Sequence, residues 1–416
     1  MAGGLPVALR TRSERSLWTD GRFVVFTVAR TVSWAGTAIT LVALPMLVFQ
    51  RTGSPALTAL LTAAEVLPYL LFGLLAGALA DRWSRRAVMV VTSVGQAAVL
   101  ASVPLADAFG VLGTAHLLVA ALCTAAAGVF FDAASFSAIP ELVGRDKLAE
   151  ATGVSSGLST VISMLGPGVG GVVAASLGPA NAIGIDALSY AVAAVLLARL
   201  PLLRAASAPA GRPLRGDIAE GLRYVWRHPL IRPLTLLGIG NSLAAGAVLA
   251  LLLPAAVEQL GLAADDARIG LLYAAVGAGA LLATVVLPRL SRALPPGWVT
   301  LGGLLLSWVF LLGWVLATTF PVALAALALW QASNTLVVLN GILVRQRVTP
   351  DELQGRVNTT GRMIAWGGQP LGAVLGGGLA GVWGTSGALV CVGSAALAAC
   401  LAGLCTPLRR RRYALV

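Results

Sequence analysis

Arg30, Glu65, Asp186 and Arg362 are ionisable side chains set inside otherwise apolar stretches of this sequence. A charge at the centre of a bilayer costs about 2.5 to 3.5 kcal/mol on insertion scales, so such residues usually face a protein interior or a water-filled cavity and serve ion or proton pathways. Glu65 falls near mid-depth of its stretch, where a carboxyl group that leaves water can exchange a proton near neutral pH. Arg30 lies eight residues beyond Arg22, about 12 Å along a helix. Asp186 falls within a turn or two of the far end of its stretch, and Asn241 joins the set as a polar candidate for a substrate cavity. Each charge also has a plainer reading as a structural ion pair or a side chain reaching toward headgroups, and for Arg362 and Glu258 interfacial anchoring suffices.

Other chemistries lack their residues. Lys147 is the sole lysine and precedes Leu148, so there is no phosphate-binding G-x-x-x-x-G-K-[ST] loop. His116 and His228 are the only histidines, which leaves no HExxH site; no metal and no other cofactor is expected. Cys123, Cys391, Cys400 and Cys405 have no metal-type spacing and read as packing residues. Without a G-x-S-x-G elbow either, the chain is not expected to be an enzyme.

Composition sets the elements that must position these residues. Of 416 residues, 58% are hydrophobic and 11% charged, against roughly 25% charged in a soluble domain. Apolar stretches run over 23–49, 56–80, 87–106, 113–138, 153–176, 179–200, 231–257, 269–287, 298–317, 321–344, 357–381 and 386–405. A helix rising about 1.5 Å per residue crosses a hydrocarbon core of about 30 Å in some 20 residues, so an all-α integral membrane protein with twelve transmembrane helices is predicted. The period-two alternation of a membrane barrel is missing, and 48 glycines suit closely packed helices. Gly73 with Gly77, and Gly377 with Gly381, have the spacing of small-residue contacts.

An even number of crossings puts both ends on one side. On that side fall 25 of the 29 Lys and Arg residues, while Arg51 and Arg268 occupy opposite loops. The positive-inside rule then makes both termini and the 201–230 loop cytoplasmic in a multi-pass plasma-membrane protein. The net charge of +12 reports topology and the lipid bilayer rather than a nucleic-acid partner. The first 22 residues are polar and lack a cleavage pattern, so no processing is expected.

The chain also resembles itself. Ser33 to Gln50 matches Ser242 to Gln259, Arg82 to Arg85 matches Arg289 to Arg292, and Leu142 to Gly153 matches Arg347 to Asn358. Three matches at nearly one offset predict two six-helix units, 1–200 and 231–416, joined by a Pro-bearing linker at 201–230 without apolar periodicity. Parallel repeats about an axis along the membrane normal are the major facilitator arrangement. Within the fifth helix Pro167 among Gly166, Gly170 and Gly171 opens a bend that a neighbour can fill, and "GGQPLGAVLGGG" from Gly367 repeats the device in the eleventh. Thr349, Pro350 and Glu352 read as a capping box with Asp351 in the first turn.

The residues resemble the major facilitator superfamily over essentially the whole chain. "GALADRWSRR" is similar to its G-x-x-x-D-R-x-G-R-R loop between helices 2 and 3, with Gly77, Asp81, Arg82, Arg85 and Arg86 in place and Ser84 where the family usually has Gly. "GPGVGG", Gly166 to Gly171, resembles the helix 5 signature of exporters that exchange substrate for protons. "FFDAASFSAIPELVGRDKLAEATG", "IDALSY" and "VTPDELQGRV" resemble the branch of enterobactin exporters and macrolide efflux proteins. The resemblance implies that Asp81 contacts the start of helix 11 and that Arg85 pairs with an acid at the cytoplasmic end of helix 4, assigned to Asp132, latching the outward-facing state. Some relatives carry an acid where this chain has Thr37, which shifts attention to Glu65.

The resulting expectation is proton-coupled export of a small amphipathic molecule, a drug, antibiotic or siderophore, by an alternating-access monomer. An importer, a lipid-handling facilitator, and a sensor or scaffold without turnover are the alternatives.

Overall fold

The computed structural model describes residues 17–80, 83–144, 146–201, 214–350 and 367–406, with Leu353, Val357, Thr360, Gly361, Met363, Ile364, Ala365 and Leu408. Among them every regular element is a helix: α1 (Gly21–Thr52), α2 (Pro55–Ala80), α3 (Arg85–Ala108), α4 (Thr114–Val143), α5 (Leu148–Leu177), α6 (Pro179–Ala198), α7 (Leu214–Arg227), α8 (Ile231–Leu260), α9 (Arg268–Ala293), α10 (Pro296–Val315), α11 (Phe320–Val348) and α12 (Gly368–Leu404). All but α7 are long and apolar enough to cross a membrane.

The 37 residues of α12 would extend about 55 Å as one straight helix, nearly twice the hydrocarbon thickness. It breaks at Gly384, whose φ of 71° lies in the left-handed region that glycine enters freely. The two arms fold back side by side, Gly372 of the first meeting Leu243 of α8 and Ala395 of the second meeting Gly240. Twelve crossings result. Glu258 of α8 holds the break: its Oε2 accepts from the Thr385 backbone N–H at 3.3 Å and from the Thr385 hydroxyl, placing negative charge where the second arm's dipole favours it. Glu258 is therefore a cap on a neighbouring helix, a role beyond interfacial anchoring.

Three local expectations need correction. Helix α4 continues through Pro140 to Val143, five residues past the expected end, because one lost backbone bond so close to a terminus leaves the rest of the ladder intact. The linker contains an amphipathic helix, α7, which docks on the later helices through Tyr224, its hydroxyl donating to the Val348 carbonyl at 2.9 Å. Gly73 and Gly381 back onto open space, so of the four glycines at small-residue spacing Gly377 makes a contact, while nothing is described around Gly77.

The glycine-rich helices bring their neighbours in as expected. On α5, Gly166 and Gly170 back onto Ala38 and Ile39 of α1, while Gly171 backs onto Gly270 of α9. On α12, Gly368 and Gly372 back onto α8, while Gly377 backs onto Ala56 and Ala59 of α2. Two seams, α5 with α9 and α2 with α12, thus join α1–α6 to α8–α12 on the side away from the chain ends.

Burial follows the same division. On the far side one apolar core draws on both groups, including Leu44, Met46, Leu61, Leu251, Leu253 and Trp330. On the side of the chain ends the cores are separate: Phe23, Phe26, Met89, Ala138 and Leu197 in one group, Leu234, Leu301, Val337 and Cys400 in the other. The molecule is closed on one face and divided on the other. The two arginines expected in far-side loops stand at helix ends, Arg51 in the last turn of α1 and Arg268 at the start of α9, and are locally neutralised by Asp107 and Asp266.

Candidate functional site

A polar cluster crosses the interior of α1–α6. Arg30 on α1 pairs with Asp132 on α4 at 3.2 Å, its side chain 8% exposed and that of Asp132 37%. The guanidinium lies 4.4 Å from the centroid of the Trp34 ring and 5.3 Å from that of Phe131, so aromatic faces compensate part of its lost hydration. The second oxygen of Asp132 accepts from the Tyr69 hydroxyl of α2 at 3.3 Å. A buried cation is thus tethered to a carboxylate that solvent reaches, an arrangement able to exchange its internal partner for a charged or polar guest.

Deeper in the same group, Asp186 on α6 is 1% exposed. Its oxygens accept from the hydroxyls of Thr40 at 2.6 Å and Ser189 at 3.0 Å. Gly36 makes room for it, since a Cβ there would stand 2.7 Å from Ser189 Cβ. No salt bridge to Asp186 occurs among the described residues. One turn away Thr37 and Tyr190 share a hydrogen bond of 2.9 Å. Asp186 therefore sits in the α1–α6 packing interface rather than on a cavity wall.

Glu65 occupies a different position. It is half-buried on α2, between Ala59, which meets Gly377 of α12, and Leu70, which meets Gly367 just before α12, and Tyr273 of α9 lies within its electrostatic reach. Among the described residues its carboxylate has no hydrogen-bond or ion-pair partner. It is an acid at membrane depth beside the seams between the two helix groups.

Two expected site residues turn out otherwise. Asn241 and Asn334 exchange side-chain to backbone bonds of 3.3 and 3.4 Å between α8 and α11, so Asn241 is a buried tie between helices. Arg85 pairs with Glu141 at 2.6 Å, not with Asp132. The reason is the length of α4: Glu141 stands at the true end of the helix, and Asp132, nine residues back, lies about 13 Å deeper. Arg86 donates to the Ala198 carbonyl at the end of α6. Ser84 caps α3 by accepting from the Ala87 N–H at 3.4 Å, and its φ of −62° makes no demand for glycine. Asp81, Arg82, Asp351, Glu352 and Arg362 lie outside the described residues.

The sequence reading missed Tyr69, Tyr190 and Thr40 as partners of the buried charges. Each is one hydroxyl among many in apolar stretches, and only the helix packing singles it out.

Twelve crossings in two groups, closed together on one face and bearing internal charges, define a membrane transporter of the major facilitator fold. The chain belongs to the transmembrane secretion effector family, whose profile it matches over residues 16–414. It is 29% identical over 384 residues to the multidrug efflux pump Tap of Mycolicibacterium fortuitum, covering 86% of this chain and 89% of that one. It is 28% identical over 246 residues to the enterobactin exporter EntS of Escherichia coli O1:K1 / APEC, covering 59% of this chain and 58% of that one. Among solved structures, an inward-facing, unoccupied bacterial homologue of the human lysosomal transporter Spinster superposes with a TM-score of 0.75 at 15% identity, over 92% of this chain and 95% of that one. The nucleoside transporter NupG superposes at 0.76 and 11% identity over 92% and 98%. The family consists of transporters of small molecules, not enzymes, and this chain is a multi-pass membrane protein.

Proposed function

We propose that the protein exports a small amphipathic molecule in exchange for protons, by alternating access between two six-helix units, 1–200 and 231–416, across the plasma membrane. The observation that carries this reading is the unequal burial of its two faces, one shared core against two separate ones. A molecule built this way can open the closed face by parting two seams while each unit keeps its own core, so the two states differ by few contacts. The division opens toward the chain ends, which the arginine distribution assigns to the cytoplasm. Substrate enters between the units and meets the polar cluster of Arg30, Asp132 and Tyr69. The efflux activities of the relatives Tap and EntS support the direction and the substrate class.

Glu65 is the coupling acid in this reading, because it faces the seam region and has no internal partner among the described residues. A pH unit supplies about 1.4 kcal/mol and 100 mV about 2.3 kcal/mol per charge, enough for one proton to drive a useful gradient. Asp81 closes the opposite latch by contact with the start of the eleventh stretch, 357–381, as the loop's resemblance implies. The test uses everted vesicles loaded by an imposed pH gradient, with uptake of a fluorescent amphiphile as the readout. Uptake that requires an acidic lumen and fails in Asp81→Asn supports the proposal; transport in the opposite direction, or none with any amphiphile tried, overturns it.

A further inference from the structure

The two matching units differ at one place where an ion pair would be expected to recur. Arg85 begins α3 and pairs with Glu141 at the end of α4 at 2.6 Å. The self-match aligns Arg85 with Arg292, and Leu142 with Arg347, so Gln346 occupies the position of Glu141. The acid that would neutralise Arg292 is gone, and the next residue adds a second arginine.

The corresponding space is a cavity of about 570 Å³ at the ends of α9 and α11 and the start of α10, with Arg292, Leu294, Pro296, Trp298, Asn340 and Arg347 in its wall. That volume lies within the range of about 300 to 1,000 Å³ typical of ligand sites. Neither Arg292 nor Arg347 forms a salt bridge among the described residues. Asn340, buried in the floor, spends its amide on the Pro296 carbonyl at 2.8 Å and on Thr300 at 2.9 Å, so it fixes the first turn of α10 and leaves the arginines as the cavity's charge. The α10 N-terminus has no side-chain cap and points its partial positive charge the same way. Leu294 and Trp298 are 42% and 44% exposed at the mouth. A tryptophan and a leucine beside two arginines at the end of membrane-crossing helices is the composition of the headgroup layer, where indole rings and basic side chains gather.

We propose that this cavity binds the phosphate of an anionic phospholipid, which takes the place of the carboxylate that the first unit supplies as Glu141. The headgroup bridges Arg292 and Arg347, while the glycerol and upper acyl chains lie along Leu294 and Trp298. The lipid thereby ties α9 to α11 as the Arg85–Glu141 pair ties α3 to α4.

Native mass spectrometry of the whole protein in a neutral detergent, with phosphatidylglycerol and phosphatidylcholine offered together, reads the site directly. The expected result is one phosphatidylglycerol retained in preference to phosphatidylcholine, with the preference reduced roughly tenfold or more in the Arg292→Gln, Arg347→Gln double variant. Arg347→Glu is the second variant: it sets a carboxylate beside Arg292, and should abolish lipid preference while keeping the wild-type melting temperature in lipid-free detergent. Unchanged preference in both variants overturns the proposal. So does displacement of the lipid by millimolar inorganic phosphate, which would assign the arginines to a soluble anion.

Discussion

Gly171 of α5 and Gly270 of α9 meet backbone to backbone on the closed face, where a Cβ on either would stand 2.7 to 2.8 Å from the other's Cα. Neither helix has a side chain there that could yield. Gly270→Ala must therefore part the α5–α9 seam, at a cost of about 1 to 3 kcal/mol typical of overpacking. The closed face loses population by about tenfold or more. Spin-label distances across the far ends of α5 and α9 should lengthen in the variant, and an unchanged distribution would count against the seam as a gate.

Gly73 provides the contrast, since a Cβ there meets nothing within 4 Å. Gly73→Ala should raise thermal stability by about 0.5 to 1 kcal/mol through helix propensity, and leave transport at the wild-type rate. A melting scan with a parallel uptake assay checks both halves of the expectation.

Glu65→Gln should leave the protein folded, because no hydrogen bond or ion pair to its carboxylate is lost among the described residues. Transport driven by a pH gradient should fall to the background rate, whereas substrate exchange without a gradient should persist. Full gradient-driven uptake by this variant would remove Glu65 from the coupling mechanism.

Asp132→Asn strands the guanidinium of Arg30, whose side chain is 8% exposed. Breaking a fully buried pair costs about 3 to 5 kcal/mol, but the exposure of Asp132 admits water, so a loss of about 2 kcal/mol is expected. Arg30→Lys should cost stability too, since an ammonium cannot lie flat against Trp34 as the guanidinium does. Denaturation midpoints in detergent read both effects.

His228 makes the corner between α7 and α8 sensitive to acid. Its Nδ1 accepts from the N–H groups of Leu230 at 3.2 Å and Ile231 at 3.3 Å, and burial lowers its pKa below the ordinary 6.5. A histidine with a depressed folded pKa stabilises above its unfolded value, and that contribution declines as pH falls below about 6.5 toward the folded pKa. Hydrogen-exchange protection factors over 220–231, corrected for the intrinsic pH dependence of exchange, should fall on acidification through that window, and His228→Asn, which keeps an acceptor but does not titrate, should flatten the response.

The crossings were readable in the sequence because each must fill the same apolar thickness, and the arginines between them mark one side. Pro167 and its glycines announced the close approach of α5 to α1 and α9, since backbone contact requires the absence of side chains. Helix α4 shows the opposite case: its apolar stretch ends at 138 while the helix runs on to Val143, so the stretch points to Asp132 as the terminal acid where the structure has Glu141. The amphipathic α7 was hidden in a linker judged by its prolines, although Leu214, Ile218, Leu222 and Val225 stand at helical intervals. Asn241 shows a further limit, for the side-chain N–H of a polar residue in an apolar stretch can be spent on a neighbouring backbone carbonyl that only the packing reveals.

The break at Gly384 has a consequence for how the chain is made. Glu258, which receives the Thr385 N–H, precedes it by 127 residues. Synthesis runs from the N-terminus, so the acceptor is already in the bilayer when the final hairpin leaves the ribosome. The last two crossings thus arrive at a prepared anchor, and Glu258→Ala should show itself first as slow or incomplete membrane insertion of the C-terminal hairpin.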